Sequence, residues 1–293
     1  MGSLMKALLA AVALVAVMEF ELVGANFLDQ CNITWNPENA QMTEGGEHLT
    51  LSLRSNTSGC MLQTKKTFMY GSISTSMMLV KNNSAGTVTT YYTTSLSDHH
   101  DEIDFEFLGN SSGDPYTIHT NIFTNGTGDR EVQFKPWFDP TTGFNNYTIF
   151  WNPCMIVWYV NSYPIRVFRN YEKEGVPFPT KQPMWAFSSI WSAEGWATQG
   201  GRVKTDWSLA PFVAEYRDLN LQVCECADGA DDATCADTCA SSTYAATECS
   251  LSTEELRQMK ALQLGYTIYN YCDNARKPDS TKPVPPECDM EQY

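Results

Sequence analysis

The segment His99-His100-Asp101-Glu102-Ile103-Asp104-Phe105-Glu106-Phe107-Leu108-Gly109-Asn110 alternates acid and apolar residues without a break from 102 to 107. A repeat of two is the side-chain period of a strand, because successive Cβ atoms point to opposite faces of the pleat. Ile103, Phe105 and Phe107 therefore share one face and anchor the strand in a core. Glu102, Asp104 and Glu106 share the other. The rest of the chain up to about Tyr216 reads in the same idiom of short strand-like runs divided by turn residues. Residues 87–93 are β-branched and aromatic, 116–124 alternate, and 147–151 and 155–160 are apolar runs split by Asn152-Pro153. Residues 165–168 follow a Tyr-Pro turn. Many short strands at this spacing predict an all-β jelly-roll sandwich.

Near Leu219 the composition changes. Residues 224–249 are rich in Cys, Ala, Asp, Ser and Thr and read as a stapled loop. Ser252-Thr253-Glu254-Glu255 is a capping-box pattern, and Leu256, Met259 and Leu262 follow at helical spacing, so one helix is expected to run to about Leu264 and stop near Gly265. The last 20 residues are Pro-rich and read as extended chain. This tail is too short to stand alone and is expected to pack on the sandwich. The division is a leader over 1–25, a jelly roll over 26–218 and an extension over 219–293.

The leader has a basic start at Lys6, an apolar run over 8–17 that is short for a bilayer span, and the small residues Gly24 and Ala25 at a plausible cleavage point. Secretion explains the cysteines. Seven of the ten lie between Cys224 and Cys288, and the four histidines sit far from them, at His48, His99, His100 and His119. In an oxidising compartment such cysteines form disulfides, and no metal site is expected. Six N-x-S/T sequons, at Asn32, Asn56, Asn82, Asn110, Asn125 and Asn146, fit the same route. The net charge of −15 argues against nucleic acid and against an anionic membrane surface as partners, since both need basic patches. A neutral polysaccharide is compatible with it.

Three carboxylates on one strand face repel one another, and stability alone does not select that arrangement. Glycoside hydrolysis does, because it needs one ionised carboxylate beside one protonated carboxyl group. Residues four apart on a strand have Cα atoms roughly 13 Å apart, so the Glu102 and Glu106 side chains must lean together to flank one bond. No EF-hand spacing is present, and no cofactor is implied. Tyr91, Tyr92, Trp185, Trp191 and Trp196 are a supply of aromatic faces for sugar rings near a cleft, although core packing is the expected place for most of them. Trp191 and Trp196 are the stronger candidates, because they flank a loop at Ser192-Ala193-Glu194-Gly195.

The segment from His100 to Asn110 resembles the catalytic segment of the plant xyloglucan endotransglucosylase/hydrolases, within glycoside hydrolase family 16. The likeness continues through Tyr116-Thr-Ile-His-Thr-Asn121, the WFDP of 137–140, Trp151-Asn-Pro153, Pro164 to Phe168, Gly175 to Pro179, Gln182-Pro-Met184, Trp196 to Gly201 and Lys204-Thr-Asp-Trp207. In the tail, Tyr269 to Cys272 and Pro285 to Cys288 extend it over nearly all of the mature chain. The resemblance implies a jelly roll with an open cleft and a retaining mechanism. It implies Glu102 as nucleophile, Glu106 as acid and base, and Asp104 as the supporting carboxyl. It implies contacts to xyloglucan from His119, Thr120, Asn121, Asp129, Arg130, Glu131, Trp196, Ala197, Gly201 and Arg276, and glycosylation at Asn110.

Four tail cysteines, Cys224, Cys235, Cys272 and Cys288, resemble the family's disulfide set, while Cys226, Cys239 and Cys249 are additional. The pairing stays open at this level. Cys31 with Cys60 is a candidate pair, which leaves Cys154 unpaired. Gly195 stands where members carry an acidic residue before the loop tryptophan. The expected activity is cleavage of the β-1,4-glucan backbone of xyloglucan with transfer to another xyloglucan chain or oligosaccharide, by a monomer in the cell wall or apoplast. A strict hydrolase on the same residues and a non-catalytic glucan-binding lectin are the competing readings.

Overall fold

The computed structural model describes residues 25–246, 249–281 and 283–293, and the expected leader lies outside them apart from Ala25. Among these residues fifteen strands, numbered in chain order, make two antiparallel sheets. The eight-stranded sheet runs β1 (Cys31–Trp35), β4 (Cys60–Thr64), β13 (Trp185–Ser192), β6 (Thr87–Thr94), β7 (Glu102–Leu108), β8 (Thr117–Phe123), β9 (Val132–Phe134) and β15 (Thr267–Asn270). The seven-stranded sheet runs β12 (Tyr163–Arg169), β11 (Met155–Val160), β10 (Asn145–Trp151), β5 (Phe68–Met78), β14 (Phe212–Glu225), β3 (His48–Leu53) and β2 (Ala40–Thr43). Every strand run read from the sequence is present, with ends moved by one or two residues.

The alternation on β7 fixes which way the sandwich faces. Ile103, Phe105 and Phe107 are fully buried between the sheets, and the Phe107 ring lies 4.5 Å from that of Tyr147 on β10. Burying side chains of this size is worth about 2–3 kcal/mol each, so a one-residue slip of β7 would forfeit several such terms at once. Two long side chains make hydrogen bonds across the gap. The Trp158 indole N–H donates to the Asp104 carbonyl at 2.9 Å, and the Tyr216 hydroxyl donates to the Thr90 carbonyl at 3.0 Å.

A single turn, α1 (Phe27–Gln30), comes first among the described residues, and those of the extension carry three helices where one was expected. The segment read as a stapled loop contains α2 (Asp232–Ala240), N-capped by Asp231. The expected helix is α3 (Thr253–Tyr266), with the Ser252–Glu255 capping box in place. It passes through Gly265 to Tyr266, and buried Met259 packs with Met155, Val157 and Val167 on the outer side of the seven-stranded sheet. Next comes β15, which adds to the edge of the eight-stranded sheet by pairing with β9, and then α4 (Tyr271–Ala275). The extension is thus woven into the sandwich at a sheet edge as well as packed on it.

Four disulfides are formed: Cys154–Cys249, Cys224–Cys239, Cys226–Cys235 and Cys272–Cys288. Two expectations are corrected here. Cys154 is bonded, and Cys31 and Cys60 are free buried thiols. The register explains why the latter two do not meet. Cys31 lies opposite Thr64, so Cys60 sits four residues along β4, on the order of 13 Å away, whereas a disulfide needs Cα atoms within about 7 Å. Cys224 and Cys235, named as part of the family's set, are each bonded, to Cys239 and Cys226 respectively.

Candidate active site

The outer face of the eight-stranded sheet carries the three carboxyl groups, each fixed by its register on both neighbours. Glu102 lies between Thr94 and Phe123, Asp104 between Tyr92 and Asn121, and Glu106 between Thr90 and His119. Farther along, Trp185, Phe187, Ser189 and Trp191 of β13 face the same way, opposite Thr94, Tyr92, Thr90 and Val88. The Phe187 and Tyr92 rings stack at 5.0 Å, so the floor beside the acids is flat and aromatic. Tyr91, grouped with these aromatics from the sequence, takes the core place expected for most of them, opposite Phe105 and 1% exposed.

The environment separates the protonation states of the three acids. Burial raises all three carboxyl groups above their ordinary range. For Asp104 the charges of Glu102 and Glu106 add to burial and push it far up, so Asp104 holds its proton. Its protonated carboxyl donates to Glu102. At Glu102 burial is the largest influence and leaves the carboxyl raised, while a hydrogen bond from Thr94, His100 and the bond from Asp104 act in the opposite direction and favour the carboxylate. Among the described residues no hydrogen bond counters burial at Glu106. Burial, then Glu102 and Glu131, push it up to about 7. One strand face therefore holds a carboxylate favoured by hydrogen bonds and, two residues beyond its supporting acid, a carboxyl group that keeps a proton in mildly acidic solution.

His119 completes this arrangement as a neutral imidazole. Burial, reinforced by Arg166, lowers it to about 4. The Gln133 amide donates to Nδ1 at 3.0 Å, which leaves the proton on Nε2, 3.6 Å from a Glu106 carboxyl oxygen. The spacing is that of an ion pair, but an uncharged ring does not make one. His119 thus presents a donor edge toward Glu106 without suppressing its proton affinity.

The profile of Glycosyl hydrolases family 16 matches residues 27–209, which include this strand and both of its neighbours. The chain belongs to that family. It is 46% identical over 278 residues to xyloglucan endotransglucosylase protein 1 of Diospyros kaki, covering 94% of this chain and 92% of the relative. It is 48% identical over 278 residues to the probable xyloglucan endotransglucosylase/hydrolase protein 23 of Arabidopsis thaliana, covering 94% and 96%. These relatives place this family 16 member among the xyloglucan endotransglucosylase/hydrolases. Among solved structures, Bacillus licheniformis β-glucanase superimposes with a TM-score of 0.52 at 25% identity, over 66% of this chain and 87% of that one. The apo Crh5 transglycosylase shares the fold with a TM-score of 0.54 at 24% identity, over 68% and 84%.

The remaining residues named from the sequence of this family 16 chain divide into three groups. His119 and Asn121 stand on the outer face beside the acids, with Trp196 close by at 6.4 Å between its ring and that of His119. Trp196 is 41% exposed and 6.0 Å from Trp191, so the two tryptophans form one corner of the face. Asp129 is exposed, and Glu131 is near enough to Glu106 to act on its charge.

Thr120 and Arg130 form the second group, with side chains on the core side. Thr120 is fully buried and its hydroxyl donates to the Val132 carbonyl, while Arg130 is paired with Glu287 at 2.8 Å. Their side chains support the face from behind. Ala197 and Gly201 are buried in the turn beneath Trp196. A Cβ on Gly201, whose φ is +80°, would lie 2.1 Å from the Gly195 carbonyl, so glycine lets the turn close. Arg276 is the outlier. It donates to the Cys288 carbonyl and to Asp289, and lines a cavity of about 490 Å³ with Arg166, Tyr271 and Glu287, all apart from the outer face. The Asn110 side chain, carrying the sequon, donates to the Pro115 carbonyl just beyond β7.

Several participants were missed in the sequence. Thr94 and Gln133 reach Glu102 and His119 only through strand pairing. Thr198, 2% exposed, accepts from the Gly86 N–H and donates to the Gly109 carbonyl, both at 2.7 Å, and so ties the tryptophan turn to the end of β7. Its local signal was its place inside the Trp196–Gly201 motif.

Proposed function

We propose that the protein cleaves the β-1,4-glucan backbone of xyloglucan with retention and passes the glycosyl group to another xyloglucan chain. The observation that carries this is the row of three carboxyl groups, Glu102, Asp104 and Glu106, on one outward strand face beside His119, in a chain of the family to which the named relatives belong. Glu102 attacks the anomeric carbon. The bond to the leaving chain breaks as Glu106 delivers its proton to the departing oxygen, and a glycosyl-enzyme remains on Glu102. Glu106, now ionised, takes the proton of an incoming 4-hydroxyl, whose oxygen displaces Glu102. Asp104 keeps its proton throughout and holds Glu102 by a hydrogen bond. His119, Asn121, Asp129, Glu131, Trp191 and Trp196 contact the sugars. No cofactor enters these steps.

The leader and sequons read from the sequence, with the disulfides of the fold, support secretion to the cell wall and a glycan on Asn110; the protein is read as a monomer whose jelly roll over 26–218 continues into the extension over 219–293 through β14. No helix among the described residues is long and apolar enough to cross a membrane. The test uses xyloglucan polymer with a labelled xyloglucan oligosaccharide. Label entering polymer with few new reducing ends is the expected result. New ends without incorporation would make the protein a hydrolase on the same residues. Absence of both, with Glu102→Ala binding the polymer like wild type, would leave a lectin.

A further inference from the structure

Behind the catalytic strand lies a buried polar cluster that the reaction, as derived, does not use. Glu287, in the last turn before Cys288, is 2% exposed, and its Oε1 accepts from Arg130 Nε at 2.8 Å. Arg130, 8% exposed, also donates to the Thr124 hydroxyl at 3.2 Å and the Thr127 carbonyl at 3.1 Å. Its backbone N–H donates to Asn121 Oδ1 at 3.1 Å, and Asn121 stands directly opposite Asp104. Arg166 donates to the Arg130 carbonyl at 2.6 Å and to the Thr120 carbonyl at 3.0 Å. Its guanidinium lies 4.7 Å from the centre of the Trp158 ring, and that indole donates to the backbone carbonyl of Asp104. A continuous set of contacts thus runs from the C-terminal extension to both sides of Asp104.

A buried carboxylate paired with a guanidinium is weak evidence of stability, because desolvating two ions offsets most of their attraction. Its geometric demand is strict, since the guanidinium fork and the carboxylate must meet in one place. Glu287 is itself held from two sides. Cys288 is bonded to Cys272, and the Tyr271 N–H between them and β15 donates to the Glu131 carbonyl at 3.0 Å. We propose that Glu287 is a positioning residue for the transfer reaction: through Arg130 and Arg166 it sets Asn121 and the backbone of Asp104, so that the extension is part of the catalytic apparatus. The proposal rests on the roles of Glu102, Asp104 and Glu106 given above.

The experiment compares wild type with the double variant Arg130→Met/Glu287→Leu in the transfer assay. Removing both charges leaves no unpaired ion, and such apolar replacements are often neutral for stability. The expected double variant melts within a few degrees of wild type, yet its kcat falls about tenfold while KM for the polymer stays within about twofold. The acidic limb of its kcat profile moves to higher pH, because a looser Asp104 holds the Glu102 carboxylate less well. A folded double variant with wild-type kcat overturns the proposal, as does a loss confined to KM.

Should the double variant fail to fold, Glu287→Asp keeps the charge and withdraws it by one methylene. It is expected to fold, with lowered kcat and the same shift of the acidic limb, and a wild-type kcat there overturns the proposal. A wild-type protein inactive on xyloglucan overturns the functional reading itself, which separates that failure from this one.

Discussion

Glu106 makes the residue-scale argument measurable. Its carboxyl is pushed up to about 7 in the folded protein from an ordinary 4.5, so between those values the native state holds a proton that the unfolded chain has released. The contribution of this group to stability then falls as pH rises through that window, by roughly 3 kcal/mol once pH exceeds 7. Glu106→Gln removes the penalty. Urea melts are expected to show the variant more stable than wild type at pH 8 by about that amount and little different at pH 4. Its transfer rate falls about 10²- to 10⁴-fold for want of the proton donor. Equal stability of the two proteins at pH 8 would mean that Glu106 is not buried as a neutral acid.

The acids themselves were readable residue by residue, because a period of two within six residues leaves no choice of face. The same parity tells Thr120 apart from His119 and Asn121, yet a motif taken as a block hides it. Arg130 could not be placed this way, since its partner Glu287 is 157 residues away.

At the scale of elements, the turn that carries Trp196 depends on one hydroxyl. Thr198→Val leaves the Gly86 N–H and the Gly109 carbonyl without their partner, which costs about 2 kcal/mol or more for buried backbone groups. Thr198→Ser retains both bonds and should lose less than about 1 kcal/mol. Denaturant melts of the two variants check this, and a Thr198→Val protein as stable as Thr198→Ser would mean that the hydroxyl does not hold the turn.

Local signals served elements that stabilise themselves. The Ser252 capping box and the Leu256–Met259–Leu262 spacing announced α3. For α2 the signals were present in Asp231 as a cap and in Cys235 and Cys239 four apart on one helix face, but the cysteines drew the reading toward a loop. β15 has four residues and no pattern of its own. It exists because β9 offers an open edge.

On the scale of the whole molecule, Cys154–Cys249 closes the longest loop, with a separation of 95 residues, against 9 for Cys226–Cys235. In the chain-entropy view the longer loop restricts the unfolded chain more, by about 2 kcal/mol. Cys154→Ser/Cys249→Ser is therefore expected to lower the melting temperature more than Cys226→Ser/Cys235→Ser. The reverse order, measured calorimetrically, would place the stabilisation in the native packing around α2.

From sequence alone came the sandwich, the strand runs, the acid-bearing face, α3 and the family likeness, all of which rest on short-range periodicity and contiguous motifs. Only the tertiary structure decided which cysteines meet, that Cys31 and Cys60 stay apart, that the extension completes a sheet, and which neighbours set the protons of Glu102, Asp104 and Glu106. Those outcomes depend on register between strands distant in sequence and on burial. Neither is written in any local run of residues, because each is a property of how the whole chain excludes water.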